Sequence, residues 1–322
     1  SCGDDRSKNT IISTKRTAPE DDPSSKVDVD KIEAINKRGW SEKLAEYKKK
    51  PGSFLLFILV HLATLITVLS IGFLLVYVLV KGIPNLNADI FSWEYTSDNC
   101  SLVPALINTV YMTLLSLLIA GPIGIFAAIY LVEYAKTGNK LVGIVRITAE
   151  TLTGIPSIVY GLFGMLFFTN ACGLRLSLIS GALTLSIMVL PVIMRTTEEA
   201  LMAVPKSYRE GSFGLGAGRL RTVFKVVLPS AVPGILSGII LATGRIVGET
   251  AALIYTAGSV AKMATKLTDS TRTLAVHMYL LSKEGLHTDQ GYATAVVLLV
   301  LVVLINFASD KIAGKVAADK AN

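Results

Sequence analysis

The chain has 322 residues, of which 52% are hydrophobic and 17% charged, with a formal net charge of +7 and a mean hydropathy of +0.56. A soluble domain carries roughly 25% charged residues; here the charges crowd into the first 53 residues and a few short segments, with long apolar runs between them. That pattern excludes an ordinary soluble fold, and the basic excess does not point to nucleic acid, because the Lys and Arg residues flank apolar runs and form no single amphipathic surface.

Residues 1–53 form a polar extension. Its first 26 residues are nearly free of large apolar side chains and read as disordered. Cys2 follows Ser1 with no apolar signal segment before it and reads as an ordinary terminal residue. Trp40, Leu44 and Tyr47 fall on one helical face, which suggests a short helix on a membrane surface. Six apolar segments follow, at about 54–80, 106–132, 152–169, 176–194, 230–257 and 293–308. Each is long enough to cross about 30 Å of hydrocarbon at about 1.5 Å per residue. Backbone groups in lipid must be bonded internally, so an all-α protein of six transmembrane helices is expected over residues 54–312, with a short tail at 313–322. With the N-terminus in the cytoplasm, the inward segments hold 16 Lys and Arg residues near the spans and the outward segments 6, so both termini face the cytoplasm. Residues 195–229 then make a cytoplasmic loop and 258–292 the largest outward one, in which Thr271–Ser282 is apolar enough for a surface or re-entrant helix. Gly154, Pro156, Gly161 and Gly164 mark the third segment for a kink and close helix packing. The three histidines are not at metal-ligand spacing, and the three cysteines form no framework; Cys100 and Cys172 both fall on the outward side, where a disulfide between them is one possibility and two free thiols the other.

Two stretches carry chemistry. In the fifth segment, Arg245 sits near the middle of a span, where a charge costs ~2.5–3.5 kcal/mol even on a lenient scale. Glu249 follows four residues on, at the spacing of one helical turn. The pair reads either as a self-neutralised bundle contact or as an anion pathway in which Glu249 holds Arg245. Arginine suits an oxyanion because its planar fork donates two parallel hydrogen bonds and stays charged. Arg195, at the inner end of the fourth segment, reads alone as a snorkelling anchor. The second stretch is EGSFGLGAGRLRTVFKVVLP, Glu210 to Pro229. Its glycines alone would suggest a flexible loop. It resembles the EAA signature of ABC-importer permeases: Glu210 is the acid, Gly211 and Ser212 stand in the small positions where Ala-Ala is usual, Gly216 is the spaced glycine, and Leu228-Pro229 closes it. No G-x-x-x-x-G-K-[ST] occurs in the sequence, so ATP hydrolysis would belong to a separate subunit docked on this loop.

Glu150–Gly164, Met188–Gly211 and Gly244–Gly258 together resemble the PstA family of phosphate-importer permeases over roughly residues 54 to 312. The resemblance implies the six-helix type I (MetI-like) importer permease fold in a bacterial inner membrane. It also implies phosphate passage involving Arg195 and Arg245, and no cofactor in this chain, ATP being bound by a partner. The implied partners are a homologous second permease (PstC-like), two ATPase subunits (PstB-like) and a periplasmic phosphate-binding protein (PstS-like). Other readings are a permease for sulfate or molybdate, a phosphate sensor, and an integral-membrane enzyme acting on a phosphorylated lipid, although the acidic metal cluster or His/Asp pair that such an enzyme needs is not found.

Overall fold

The structure, a computed structural model, describes residues 51–135, 138, 140–285 and 287–318. The Trp40/Leu44/Tyr47 face and Cys2 lie outside these. The described residues divide between two compact units, 51–72 and 73–318. All regular structure among the described residues is helical.

Helix α1 (Pro51–Gly82) has no buried side chain between Leu55 and Val80. A largely apolar surface of this length, with the Thr64 and Thr67 hydroxyls donating back to the Val60 and Ala63 carbonyls, is suited to hydrocarbon. Two 3-10 turns lead to α2 (Val103–Ile129), which tightens into a π-helical turn at Tyr130–Tyr134. Then come α3 (Lys140–Thr153), α4 (Ser157–Gly164, continued by π-helical turns to Ala171) and α5 (Leu178–Ala203). The short helices α6 (Lys206–Gly214) and α7 (Arg219–Thr222) precede α8 (Leu228–Val247), α9 (Ala251–Thr256), α10 (Leu274–Glu284) and α11 (Thr288–Ala318).

In the second unit α5 is central, packed on α2, α3, α4, α8 and α9. Its buried face, with Leu185, Met188, Val189 and Ile193, joins Met112 and Ala120 of α2, Ile246 of α8 and Leu253 of α9 in the main core. A second core at the α6 end gathers Ala128, Leu201, Val223 and Val227, and a third at the α10 end gathers Leu102, Leu274 and Ala293. Between lipid-embedded helices apolar burial gives little net drive, so close approach and hydrogen bonds matter more. Gly161 shows the first: a Cβ there would lie 2.7 Å from Cα of Ala252, so only glycine lets α4 meet α9 so closely. Asn108 and Thr109 of α2 show the second. Asn108 Nδ2 donates to the Lys262 carbonyl at 2.9 Å, its Oδ1 accepts from the Ala264 N–H at 2.9 Å, and Thr109 Oγ1 accepts from the Leu274 N–H at 2.8 Å. These contacts fix the long segment before α10. Within the apolar Thr271–Ser282 stretch a helix begins at Leu274; its first turn, Leu274–His277, and Leu281 are buried, and it packs on α2 and α11. There burial, with the Arg272 charge second, pushes His277 down to about 3, so the ring is neutral at neutral pH.

Among the described residues five helical stretches are long and apolar enough to cross a membrane, six if one bent pair counts as a span. The bent pair corrects the expected third helix over 152–169. The chain turns through 104° between α3 and α4. Pro156 cannot donate a helical hydrogen bond and holds the residue before it out of the α region. The corner is closed by Tyr160, whose hydroxyl donates to the Leu152 carbonyl at 2.7 Å. The expected fifth helix over 230–257 is also divided: α8 stops at Val247 and α9 starts at Ala251. Conversely α5 runs past Arg195 to Ala203, so residues 195–203 are helix and not loop. It ends where Val204, preceding Pro205, turns extended.

The suggested Cys100–Cys172 bridge is not formed. Both thiols are free, Cys100 buried and Cys172 exposed. Cys100 Sγ donates to the Ser97 carbonyl at 3.4 Å within its own loop, and burial raises its thiol pKa. In a Cys2→Ser background, a maleimide is expected to label native Cys172 at least ~100-fold faster than Cys100, whose reaction waits on local opening. Equal labelling rates, read by mass spectrometry, would contradict this placement.

Candidate functional site

The two arginines singled out by the sequence line one cavity of about 310 Å³, together with Thr153, Thr196 and Glu199. They reach it from different helices. Arg195 projects from the polar turn of α5; Arg245 lies in the last turn of α8 and is half-buried. The α3–α4 corner brings Thr153 to the same wall. Its hydroxyl donates back to the Ala149 carbonyl at 2.9 Å, and that of Thr196 to the Val192 carbonyl at 2.9 Å. The threonine protons are therefore committed to their own helices; the wall itself is mostly apolar, with Val192 and Leu241, and the two arginines are its cationic residues. Such a site is chemically suited to an oxyanion.

Arg195 is held on two sides. Its Nη1 lies 3.4 Å from Glu150 Oε1 of α3, and its Nε 3.4 Å from Glu199 Oε1 one turn along α5. All three side chains are more than half exposed, so these pairs orient more than they stabilise. Beside them Arg146 Nη2 meets Glu198 Oε1 at 2.5 Å, and a second cavity of about 230 Å³ extends the site past Arg146, Glu150 and Glu198. The acidic partners were the residues that sequence reasoning missed. The i,i+4 spacing of Arg195 and Glu199 was a readable signal; the approach of Glu150 across the corner was not.

The structure does not bring Arg245 and Glu249 together as a pair. Because α8 ends before Glu249, the four-residue spacing does not keep the two on one helical face. Glu249 is 8% exposed and its Oε1 accepts the Ala252 N–H at 3.0 Å, capping α9. Among the described residues no ion pair involves Arg245.

The Glu210–Pro229 stretch folds as a helical hairpin. Its first helix closes with a Schellman arrangement: the Gly216 N–H donates to the Phe213 carbonyl at 2.9 Å and the Ala217 N–H to the Ser212 carbonyl at 3.1 Å, with Gly216 at φ +81°. Ser212 and Thr222 hydroxyls, 2.8 Å apart, tie the two helices. The hairpin leaves Phe213, Leu215, Leu220 and Phe224 in the open, Leu215 91% exposed, with Glu210 and Gly211 also exposed. Arg209 anchors it to the bundle, where its Nη2 lies 2.6 Å from Glu133 Oε1 at the π-helical end of α2. Arg209 also donates to the Val204 carbonyl at 2.8 Å and the Leu201 carbonyl at 2.9 Å, satisfying the last turn of α5. The backbone at Gly216 changes the reason for its glycine: the left-handed turn demands it, while a Cβ would meet open space. A side chain there costs ~1–2 kcal/mol. Gly216→Ala and Gly216→Leu are therefore both expected to impair the hairpin, and Gly216→Asn, tolerant of this conformation, to restore most of it. Trypsin sensitivity of the hairpin, and stimulation of any ATPase that docks on it, would report the order of effects; an unimpaired Gly216→Ala protein would point back to a bulk-sensitive contact.

Residues 120–318 match the model of the family described as "Binding-protein-dependent transport system inner membrane component". The probable ABC transporter permease protein YqgI of Bacillus subtilis is 33% identical over 77% of this chain and 90% of its own length. The phosphate transport system permease protein PstA of Xylella fastidiosa is 39% identical over 55% of this chain and 62% of its own length. PstA 2 of Mycobacterium bovis is 34% identical over 73% and 78%. Among solved structures, a chain of the MetNI methionine ABC transporter in an inward-facing conformation aligns at TM-score 0.54 and 25% identity, covering 67% of this chain and 95% of that one. A chain of a bacterial alginate ABC transporter aligns at TM-score 0.62 and 15% identity, over 84% and 97%.

Proposed function

Because this chain belongs to the family of binding-protein-dependent transport system inner membrane components, we propose that it passes inorganic phosphate as the permease subunit of an ATP-driven importer. It is a multi-pass helical membrane subunit and not itself the ATPase. The phosphate reading rests above all on one observation: Arg195 and Arg245, from separate helices, line the same cavity. The printed names of the PstA relatives support the same cargo. The exposed apolar residues of the Glu210–Pro229 hairpin, with Glu210, Gly211, Ser212 and Gly216, form the surface on which an ATPase subunit docks. The working complex then holds a homologous second permease, two ATPase subunits and a periplasmic phosphate-binding protein, with both termini of this chain in the cytoplasm. Radiolabelled phosphate uptake into proteoliposomes containing that complex tests the cargo. Uptake that needs ATP and phosphate-binding protein, and that excess sulfate or molybdate fails to suppress, is the expected result. Uptake of sulfate or molybdate in preference to phosphate would reassign it.

A further inference from the structure

The phosphate reading leaves one charged group on the cavity wall without a part. Glu199 lines the space shared by Arg195 and Arg245, and it is the acidic residue among the lining residues of that cavity. Its Oε1 accepts one hydrogen bond, from Arg195 Nε at 3.4 Å. A carboxylate has room for about four, two at each oxygen. Placing it beside an anion is unfavourable unless a proton lies between them, because two acceptors facing each other leave both unpaired. Phosphate at neutral pH carries at least one P–OH donor; sulfate and molybdate carry none. We propose that Glu199 is the selectivity residue of this cavity: its carboxylate accepts the P–OH hydrogen bond while Arg195 and Arg245 hold the bare oxygens, so the site admits protonated oxyanions and rejects fully ionised ones.

This rests on the cavity being the phosphate passage. It also separates Glu199 from Glu150. Both contact Arg195, but Glu150 lines only the neighbouring cavity and does not face Arg245. Removing the charge of Glu150 loosens Arg195 without adding a donor to the passage. Glu199→Gln exchanges an acceptor for an amide that both donates and accepts, which gives sulfate a partner.

The test is equilibrium dialysis of the purified permease–ATPase complex, without binding protein, against labelled phosphate or labelled sulfate. Only binding lost in Arg245→Gln is scored. Wild type is expected to prefer phosphate by ~100-fold or more, below the ~10⁴-fold of a site buried around its hydrogen bond because the Glu199 side chain is 63% exposed. In Glu199→Gln the preference should collapse to within ~10-fold, chiefly through gained sulfate binding. Glu199→Asp, which keeps the acceptor, and Glu150→Gln should both still reject sulfate. Sulfate rejection that survives in Glu199→Gln overturns the selectivity role and leaves the phosphate reading intact. Collapse in Glu150→Gln as well as Glu199→Gln would reduce both to positioning of Arg195 and also overturn it. A wild-type complex with no Arg245-dependent phosphate binding removes the phosphate reading, and the role of Glu199 with it.

Discussion

Replacing Arg245 with Gln should reduce phosphate uptake by ~100-fold or more while leaving membrane insertion and complex assembly at wild-type levels. The magnitude follows from the bond type: a charge-assisted, two-pronged contact is worth roughly twice a neutral one, and ~3 kcal/mol corresponds to about two decades. Assembly should survive because no ion pair in the described residues depends on Arg245, and the half-buried side chain leaves little packing to lose. Arg245→Lys keeps the charge and loses the planar fork, so it should fall between the two. Uptake in reconstituted vesicles, normalised to co-purified ATPase, reads the effect. Wild-type uptake by the Gln variant would make Arg245 a structural residue.

The second large effect is expected at Arg209, which is not among the residues lining the cavity shared by Arg195 and Arg245. Arg209→Met leaves Glu133 with a side chain only 9% exposed and no counter-charge. It also strips the donor from the Leu201 and Val204 carbonyls. Breaking a buried pair from one side costs ~3–5 kcal/mol; with Arg209 17% exposed, the lower end applies. The hairpin should detach from the end of α2 and ATPase stimulation should be lost, although the exposed docking residues are untouched. Adding Glu133→Gln removes the stranded charge, so the double variant should be more stable than Arg209→Met alone. Thermal unfolding of the two proteins in the same detergent decides it; equal midpoints would mean that Glu133 finds solvent or another cation.

How much of this was legible beforehand varied with the distance over which each feature is determined. The apolar segments were plain because lipid demands about twenty apolar residues in a row, and the Glu210–Pro229 stretch was marked as a docking loop by spacing within one stretch, though its helical hairpin was not. The wall shared by Arg195 and Arg245 was suggested by the resemblance to phosphate-importer permeases, Arg195 by itself reading as an anchor, and it required the fold to bring α5 and α8 together. The interruptions were misjudged. Pro156 was read as a kink, whereas Tyr160 reaching back to Leu152 makes a full corner. The end of α8 was hidden inside an apolar run, because hydropathy does not register that Glu249 will serve the Ala252 N–H of a new helix and not the turn before it. Arg195 looked like a loop boundary because charge was taken as the edge of the membrane, yet the helix runs on to Ala203. The Arg209–Glu133 contact joins residues 76 apart in sequence, and no local pattern announces it.

The early end of α8 has an electrostatic consequence for the proposed anion passage. The aligned peptide dipoles of a helix sum to roughly half a negative charge at its C-terminal end, an effect confined to the last turn. Arg245 sits in that last turn. Had α8 continued through to Thr256, the same side chain would stand amid fully bonded carbonyls and present its whole charge to the passage. Ending the helix at Val247 sets part of a negative charge behind the guanidinium. The cation is easier to keep in a membrane-embedded segment, and its pull on an anion is softened. A passage has to bind well enough to admit its ion and weakly enough to release it. The broken helix gives this chain a backbone means of setting that balance, independent of every side chain on the cavity wall.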